Sequence, residues 1–327
     1  MVREQYEMKQ LEFETDIPFS SLDYLFIAAG ASHRAYKVLD ILERIKIKKL
    51  IVIDFIERRE SEKIYQEKYY SYKNRNIEII TLNANINDSS GLLKSLVVKG
   101  VDIKRNDNIG IDITCFPRPF IFSFLKYFQK VNAISHANVF YSEPKAYVFK
   151  NGFCKTFKSS SGPIKIIELP TFTGENINDT DRLLIVVLGF DADLSKEINF
   201  EVAPKKTVLI NGFPGFSPKF KEISLINNEV LIANQNNEIA YCKANNPFEM
   251  YNTLLDIYLT KGKELFVNIA PIGPKPLVLG TCLFAIHHPS VRVIYPQPEK
   301  YLNEDTSNDT WCSWYYKLPL YRVGGDL

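Results

Sequence analysis

Val139-Phe140-Tyr141-Ser142-Glu143-Pro144-Lys145-Ala146-Tyr147 returns near the other end of the chain as Val293-Ile294-Tyr295-Pro296-Gln297-Pro298-Glu299-Lys300-Tyr301. The two segments align without a gap and share Val, Tyr, Pro and Tyr. Upstream of each, an apolar run enters a Pro-basic-Pro turn. The first is Ile111-Asp112-Ile113-Thr114-Cys115-Phe116-Pro117-Arg118-Pro119, the second Val267-Asn268-Ile269-Ala270-Pro271-Ile272-Gly273-Pro274-Lys275-Pro276. Earlier still, residues 78–83 match 229–234. Echoes that keep one order along the chain are the mark of an internal duplication. The expected fold is α/β: two tandem Rossmann-like parallel-sheet units with a β-rich connector.

The path of the chain supports this. Residues 24–29 form a continuous apolar run ended by Gly30, which suits a strand covered on both faces. An amphipathic helix follows, with Tyr36, Leu39, Ile41, Leu42 and Ile45 on its apolar face. Further strands are expected at 50–54, 77–82, 109–114 and 139–141. Helices are expected at 57–73, 92–98 and 120–130. Strands alternating with helices imply a parallel sheet with right-handed crossovers. The rhythm restarts with 183–188 and Gly189, the counterpart of Gly30. It continues with strands at 208–211, 230–233, 265–269 and 291–295, and helices at 248–258 and 277–286. The expected divisions are 1–148, a connector with one hairpin at 149–181, and 182–327 with an aromatic tail.

With 327 residues the chain can bury two cores of ordinary size. Its 40 basic and 38 acidic residues leave a charge of +2, which argues against a dedicated duplex nucleic-acid binder. Five dispersed cysteines without a CxxC pair read as reduced thiols in a cytoplasmic protein. No apolar leader and no membrane-spanning run is seen. HExxH, Cys/His clusters, Walker A and GxSxG stretches are absent from the sequence, so neither a metal site, a P-loop nor an α/β-hydrolase is expected, and no cofactor is called.

In open α/β sheets, ligands sit beyond the C-terminal ends of the strands. The turn Gly30-Ala31-Ser32-His33-Arg34 leads into a helix. Small residues allow close backbone approach, and a helix N-terminus favours an anion. Gly30, Ser32 and Arg34 are therefore candidate ligand contacts, against the plainer reading of a glycine turn with exposed basic residues. Thr114 and Arg118 offer a hydroxyl and a guanidinium ahead of a helix, suited to phosphate or ribose. Gly189, Gly273, Lys275 and the hydroxyl of Thr281 are their counterparts in the second half. The competing reading is that the prolines only shape the turns. Asp54 ends the second strand, where an acid can accept from a ribose hydroxyl, or serve as a cap. Asp112 lies in the fourth strand. Asn211 and Asn268 stand at the matching places, so one half would act while the other only binds. Asp112 and Asp54 are the acid/base candidates if the protein is an enzyme.

A strand ending in a hydroxyl residue, a short Pro/basic turn and a helix resemble the ligand-binding element of CRISPR-associated Rossmann-fold (CARF) domains. The tandem arrangement over residues 22–148 and 182–302 resembles SAVED sensor domains. The turn at Cys115 to Pro119 departs from the Gly-Gly-Thr-Lys-like turn usual in that family. The resemblance implies a sensor in prokaryotic antiviral defence. It would bind a nucleotide or cyclic oligonucleotide in a cleft between the halves, and a separate effector or nuclease subunit would read it. A nucleotide-processing enzyme (a glycosidase or a phosphoribosyl-type transferase) and a scaffold with a vestigial cleft are the alternatives.

Overall fold

A computed structural model describes residues 7–11, 17–30, 32–57, 77–147, 160–174, 181–301 and 310–318. The chain divides into two compact units, Met1–Tyr147 with Asp305–Leu327, and Val148–Glu304. In the first, strands β1 (Glu7–Leu11), β2 (Ser21–Ala28), β3 (Lys46–Phe55), β4 (Glu78–Ala84), β5 (Ile109–Asp112) and β6 (Ala137–Pro144) are joined by β13 (Thr310–Lys317). The sheet order is β1-β13-β6-β5-β2-β3-β4. In the second unit, β7 (Ser160–Thr173), β8 (Arg182–Val187), β9 (Lys206–Gly212), β10 (Asn237–Cys242), β11 (Phe266–Pro271) and β12 (Arg292–Tyr301) are ordered β10-β9-β8-β11-β12-β7.

Numbering the parallel strands within each unit gives one order in both, third-second-first-fourth-fifth. Both units are therefore Rossmann-like, and their strand topology repeats. Each sheet then continues past its fifth strand with an antiparallel strand: β13 beside β6, and β7 beside β12. The chain path is reciprocal. The strand that follows β6 in sequence, β7, belongs to the second sheet, and the strand that follows β12, β13, belongs to the first. The aromatic tail, expected with the C-terminal unit, thus pairs in the N-terminal sheet. Trp314 faces Tyr141 and Tyr315 faces Phe140 across the ladder. Tyr315 and Tyr316 are fully buried there. Burying these rings, not their place in the sequence, decides which sheet the tail completes.

Successive side chains point to opposite faces, and both faces are covered, which explains why 24–28 in β2 and 183–187 in β8 are unbroken apolar runs. Leu183, Ile185 and Val187 enter one core cluster with the helices Pro247–Ile257 and Lys275–His287. Leu184, Val186 and Leu188 enter the other, with Leu194, Ile198 and Val202 of the helix Ala192–Val202. In the N-terminal unit, Leu25 and Ile27 pack with Tyr36, Leu39 and Leu42. On the opposite face Phe26 meets Phe124 and Phe128, with ring centroids 5.2 and 5.8 Å apart. Those rings come from the helix Arg118–Lys130.

Several elements differ from expectation. Residues 230–233 are not the third strand of the second unit: 230–232 belong to a short helix, Glu229–Ile232, which Ala233 caps. A four-residue apolar run does not distinguish the two states by its pattern. Here the Asn228 carbonyl accepts from the amides of Leu231 and Ile232. The buried Asn228 side chain donates to the carbonyls of Gly189 and Ser224, which anchors the turn. The strand is β10 instead, an edge strand that pairs with β9 and leaves three of its six residues exposed. The helix after β2 opens with a 3-10 turn, His33–Tyr36, before Lys37–Ile41. Of the expected connector hairpin, the segment 164–168 lies within the single strand β7, and 155–158 lie outside the described residues, as do most of 57–73. Asn246 caps the helix Pro247–Ile257 as its Asn-Pro pair suggests, accepting from the amides of Phe248 and Glu249.

Candidate functional site

The strand ends of the N-terminal unit hold a buried polar cluster. Asp112 closes β5, and its Oδ1 accepts from the Thr114 amide at 2.9 Å and from the Thr114 hydroxyl. Thr114 Oγ1 in turn accepts from the Ser142 amide of β6 at 2.9 Å. Asp112 and Thr114 are each 2% exposed. They form a hydrogen-bonded brace that ties the turn after strand four to strand five.

Arg34 reaches the same place from the turn after strand one. Ser32 Oγ accepts from the Arg34 amide at 3.3 Å and starts the 3-10 turn. The Arg34 guanidinium, buried, donates through Nη1 to the Ser142 carbonyl at 3.0 Å. Burial by itself would favour a neutral guanidine. The Cys115 thiol, the Tyr141 and Tyr147 phenols and the Glu143 carboxylate outweigh it, so the group titrates above its ordinary range. Glu143, also buried, accepts from the Tyr147 hydroxyl at 3.0 Å and from the Tyr141 hydroxyl. Burial first, then the charge of Glu143, pushes both phenols well above their usual range. Gly30 faces Cys115, and a Cβ there would meet its Sγ at 3.5 Å, an ordinary contact.

The fold thus brings Gly30, Ser32, Arg34, Asp112 and Thr114 to one pole. Arg118 is half-buried at the first position of the 13-residue helix Arg118–Lys130, where the helix dipole favours an anion. Asp54 is half-buried at the end of β3, opposite Asn83 of β4. Sequence reasoning did not single out Tyr141, Glu143 and Tyr147 as site residues. The signal was there, since Tyr recurs at both places in the repeat. In the second unit the Tyr301 hydroxyl donates directly to Tyr295, with Gln297 in the place of Glu143.

The second unit reproduces the turn and not the polar cluster. Pro117 and Pro274 precede their helices with nearly the same backbone, φ −59° and ψ 147° against φ −56° and ψ 145°. Lys275 thereby stands where Arg118 stands. Gly189 and Gly273 serve packing. A Cβ on Gly189 would lie 2.7 Å from the Ile272 carbonyl oxygen, and one on Gly273 would lie 2.8 Å from that of Leu188. The hydroxyl of Thr281 is buried and donates to the Leu277 carbonyl at 2.9 Å, inside the helix. Asp191 occupies the place of Ser32 and accepts from Ser160 Oγ at 2.8 Å.

Sheet register corrects one of the two Asp/Asn pairings. Ile53 pairs with Ala28 and Ile210 with Val187, so Asp54 and Asn211 are equivalent. Ile111 pairs with Val139 and Ile269 with Val293. Asp112 therefore lies one residue beyond that pair, and Asn268 one residue before it. Asn268 instead accepts from Arg292 Nε at 2.6 Å, near the start of β12 and away from the C-terminal strand ends. In this register the first turn is one residue longer than the second, five residues between Ile111 and Pro117 against four between Ile269 and Pro274, and matching the runs by sequence alone set them out of register.

No family model matches the sequence, and no curated protein matches it. Among solved structures the chain is similar to a Type III CRISPR defence DNA nuclease activated by cyclic oligoadenylate, with TM-score 0.54 and 9% identity. The likeness is one of fold. It covers 84% of this chain and 65% of that chain, so this chain spans less than two thirds of the nuclease's length. A second match, the cytoplasmic domain of a prokaryotic cation chloride cotransporter, covers 86% of this chain at 8% identity and TM-score 0.28, below what a shared fold requires. Among the described residues no helix is long and apolar enough to cross a membrane.

Proposed function

We propose that this chain is a nucleotide-sensing subunit in prokaryotic antiviral defence, and that a nucleotide or cyclic oligonucleotide binds at the strand ends of its N-terminal unit. The observation that carries this reading is the buried Arg34 guanidinium, held by the Ser142 carbonyl at the pole where Rossmann-like sheets take their ligands. Arg118, at a helix N-terminus on the same pole, supplies a second cation suited to phosphate. The fold likeness to a nuclease activated by cyclic oligoadenylate points the same way. A separate effector subunit would read the bound state.

An enzymatic reading would rest on Asp112 as acid/base. Its carboxylate is engaged by the amide and hydroxyl of Thr114, which favours architecture over proton transfer.

The test is mass spectrometry of nucleotides released from purified, heat-denatured protein, followed by calorimetric titration with cyclic oligoadenylates. A released nucleotide, or saturable binding, is expected. A protein that releases none and titrates with none of them refutes the reading.

A further inference from the structure

We infer that the C-terminal unit carries a nucleobase-binding platform of its own, formed by Phe213, Tyr241 and Lys221. It stands on observations separate from the cluster around Arg34. Phe213 follows β9 and Tyr241 lies near the end of β10, so both rings sit at the strand-end pole of their sheet. They meet edge to face, with centroids 6.1 Å apart and planes at 73°. Phe213 is 48% and Tyr241 47% exposed, so broad aromatic surface is left open to solvent. Lys221 places its ammonium 4.3 Å from the Phe213 centroid and 5.5 Å from that of Tyr241. Among the described residues no carboxylate pairs with Lys221.

The turns beneath these rings are hydrogen-bonded to one another. The Phe213 amide donates to the Cys242 carbonyl at 2.7 Å, and the Ala244 amide donates to the Pro214 carbonyl at 3.1 Å. The two turns are therefore tied to each other. Asn211, buried at the end of β9, donates to the Lys221 carbonyl and fixes the helix Pro218–Asn227 that carries the cation. Preorganised rings with a cation beside them match a flat π-system joined to a negative charge. Bases stack on aromatic side chains whatever their identity, and a cation close by can take the phosphate. The ligand class is accordingly a nucleotide, with its base on the ring faces and its phosphate on Lys221.

The experiment is calorimetric titration of the full chain with AMP, adenosine and ribose 5-phosphate. AMP should bind more tightly than ribose 5-phosphate. Phe213→Leu, which keeps apolar volume, and Tyr241→Ala should each weaken AMP about 5- to 100-fold, the range that loss of one stacking partner implies. Lys221→Gln should weaken AMP and leave adenosine unchanged. The platform is refuted if AMP does not bind, if ribose 5-phosphate binds as well as AMP, or if both aromatic variants bind AMP as the wild type does. AMP binding lost in Arg118→Ala but kept in Phe213→Leu and Tyr241→Ala refutes the platform and leaves the N-terminal site standing. The reverse pattern supports the platform and removes AMP from the N-terminal site.

Discussion

Arg34 Nη1 donates to the carbonyl oxygen of Ser142 at 3.0 Å, joining the turn after the first strand to the fifth strand across 108 residues of sequence. Arg34→Ala deletes this charge-assisted bond inside a buried cluster. It should lower stability by about 1.5–3 kcal/mol, read as the denaturant midpoint at constant m-value. Nucleotide binding should fall with it. A variant with wild-type stability would reduce the contact to an incidental one.

Arg118 is half-buried at a helix start, so its removal should separate binding from folding. Arg118→Ala should weaken the identified nucleotide by roughly 1.5–3 kcal/mol. The thermal midpoint should hardly move. An unchanged dissociation constant would make the Pro-basic-Pro turn purely architectural.

Asp112 distinguishes sensing from catalysis. Asn keeps an acceptor for the Thr114 amide, so Asp112→Asn should leave nucleotide binding largely intact. Turnover of candidate nucleotides, followed by chromatography, should be nil in both proteins. Wild-type turnover that drops ~10²–10⁴-fold in the variant would establish Asp112 as a catalytic acid/base and overturn the sensor reading.

The two glycine turns should respond differently to a methyl group. Gly273→Ala would press a Cβ to within 2.8 Å of the Leu188 carbonyl oxygen, and overpacking of this kind costs about 1–3 kcal/mol. Gly30→Ala meets nothing closer than 3.5 Å and should stay within ~0.5 kcal/mol of wild type. Chemical denaturation of both variants compares them directly.

Acid should weaken the C-terminal unit through His287. Burial, and next the adjacent His288, pushes His287 down from 6.5 to about 4. Between those values the unfolded chain binds the proton and the folded one does not. Stability is therefore full above the ordinary histidine range and declines as pH falls through that window toward 4. Unfolding midpoints measured from pH 7 to 4 should fall less steeply in His287→Gln than in wild type. Parallel curves would show that the side chain does not control the transition.

Much of this was legible in the residues themselves. Six-residue apolar runs ended by glycine, such as Leu183 to Leu188, suit strands covered on both faces, and the Pro-basic-Pro turns announce two equivalent helix starts. Duplication and sheet class follow from such local patterns, because burial of alternate side chains writes a period into the chain. What depends on distant partners left no such trace. Which sheet receives the tail was decided by the burial of Tyr315 and Tyr316 against β6. The true third strand, β10, is a sheet edge whose apolar run, Ile239 to Cys242, is as short as the one at 230–233, and pairing with β9 decides between them. The equivalence of Asp112 and Asn268 failed because hydrogen-bond register, not sequence spacing, sets which residues share a place. The joining of Arg34 to Ser142, and of Phe213 to Tyr241, is likewise tertiary: the first pair meets across β5 and the second across the β9–β10 pairing, and neither follows from local pattern.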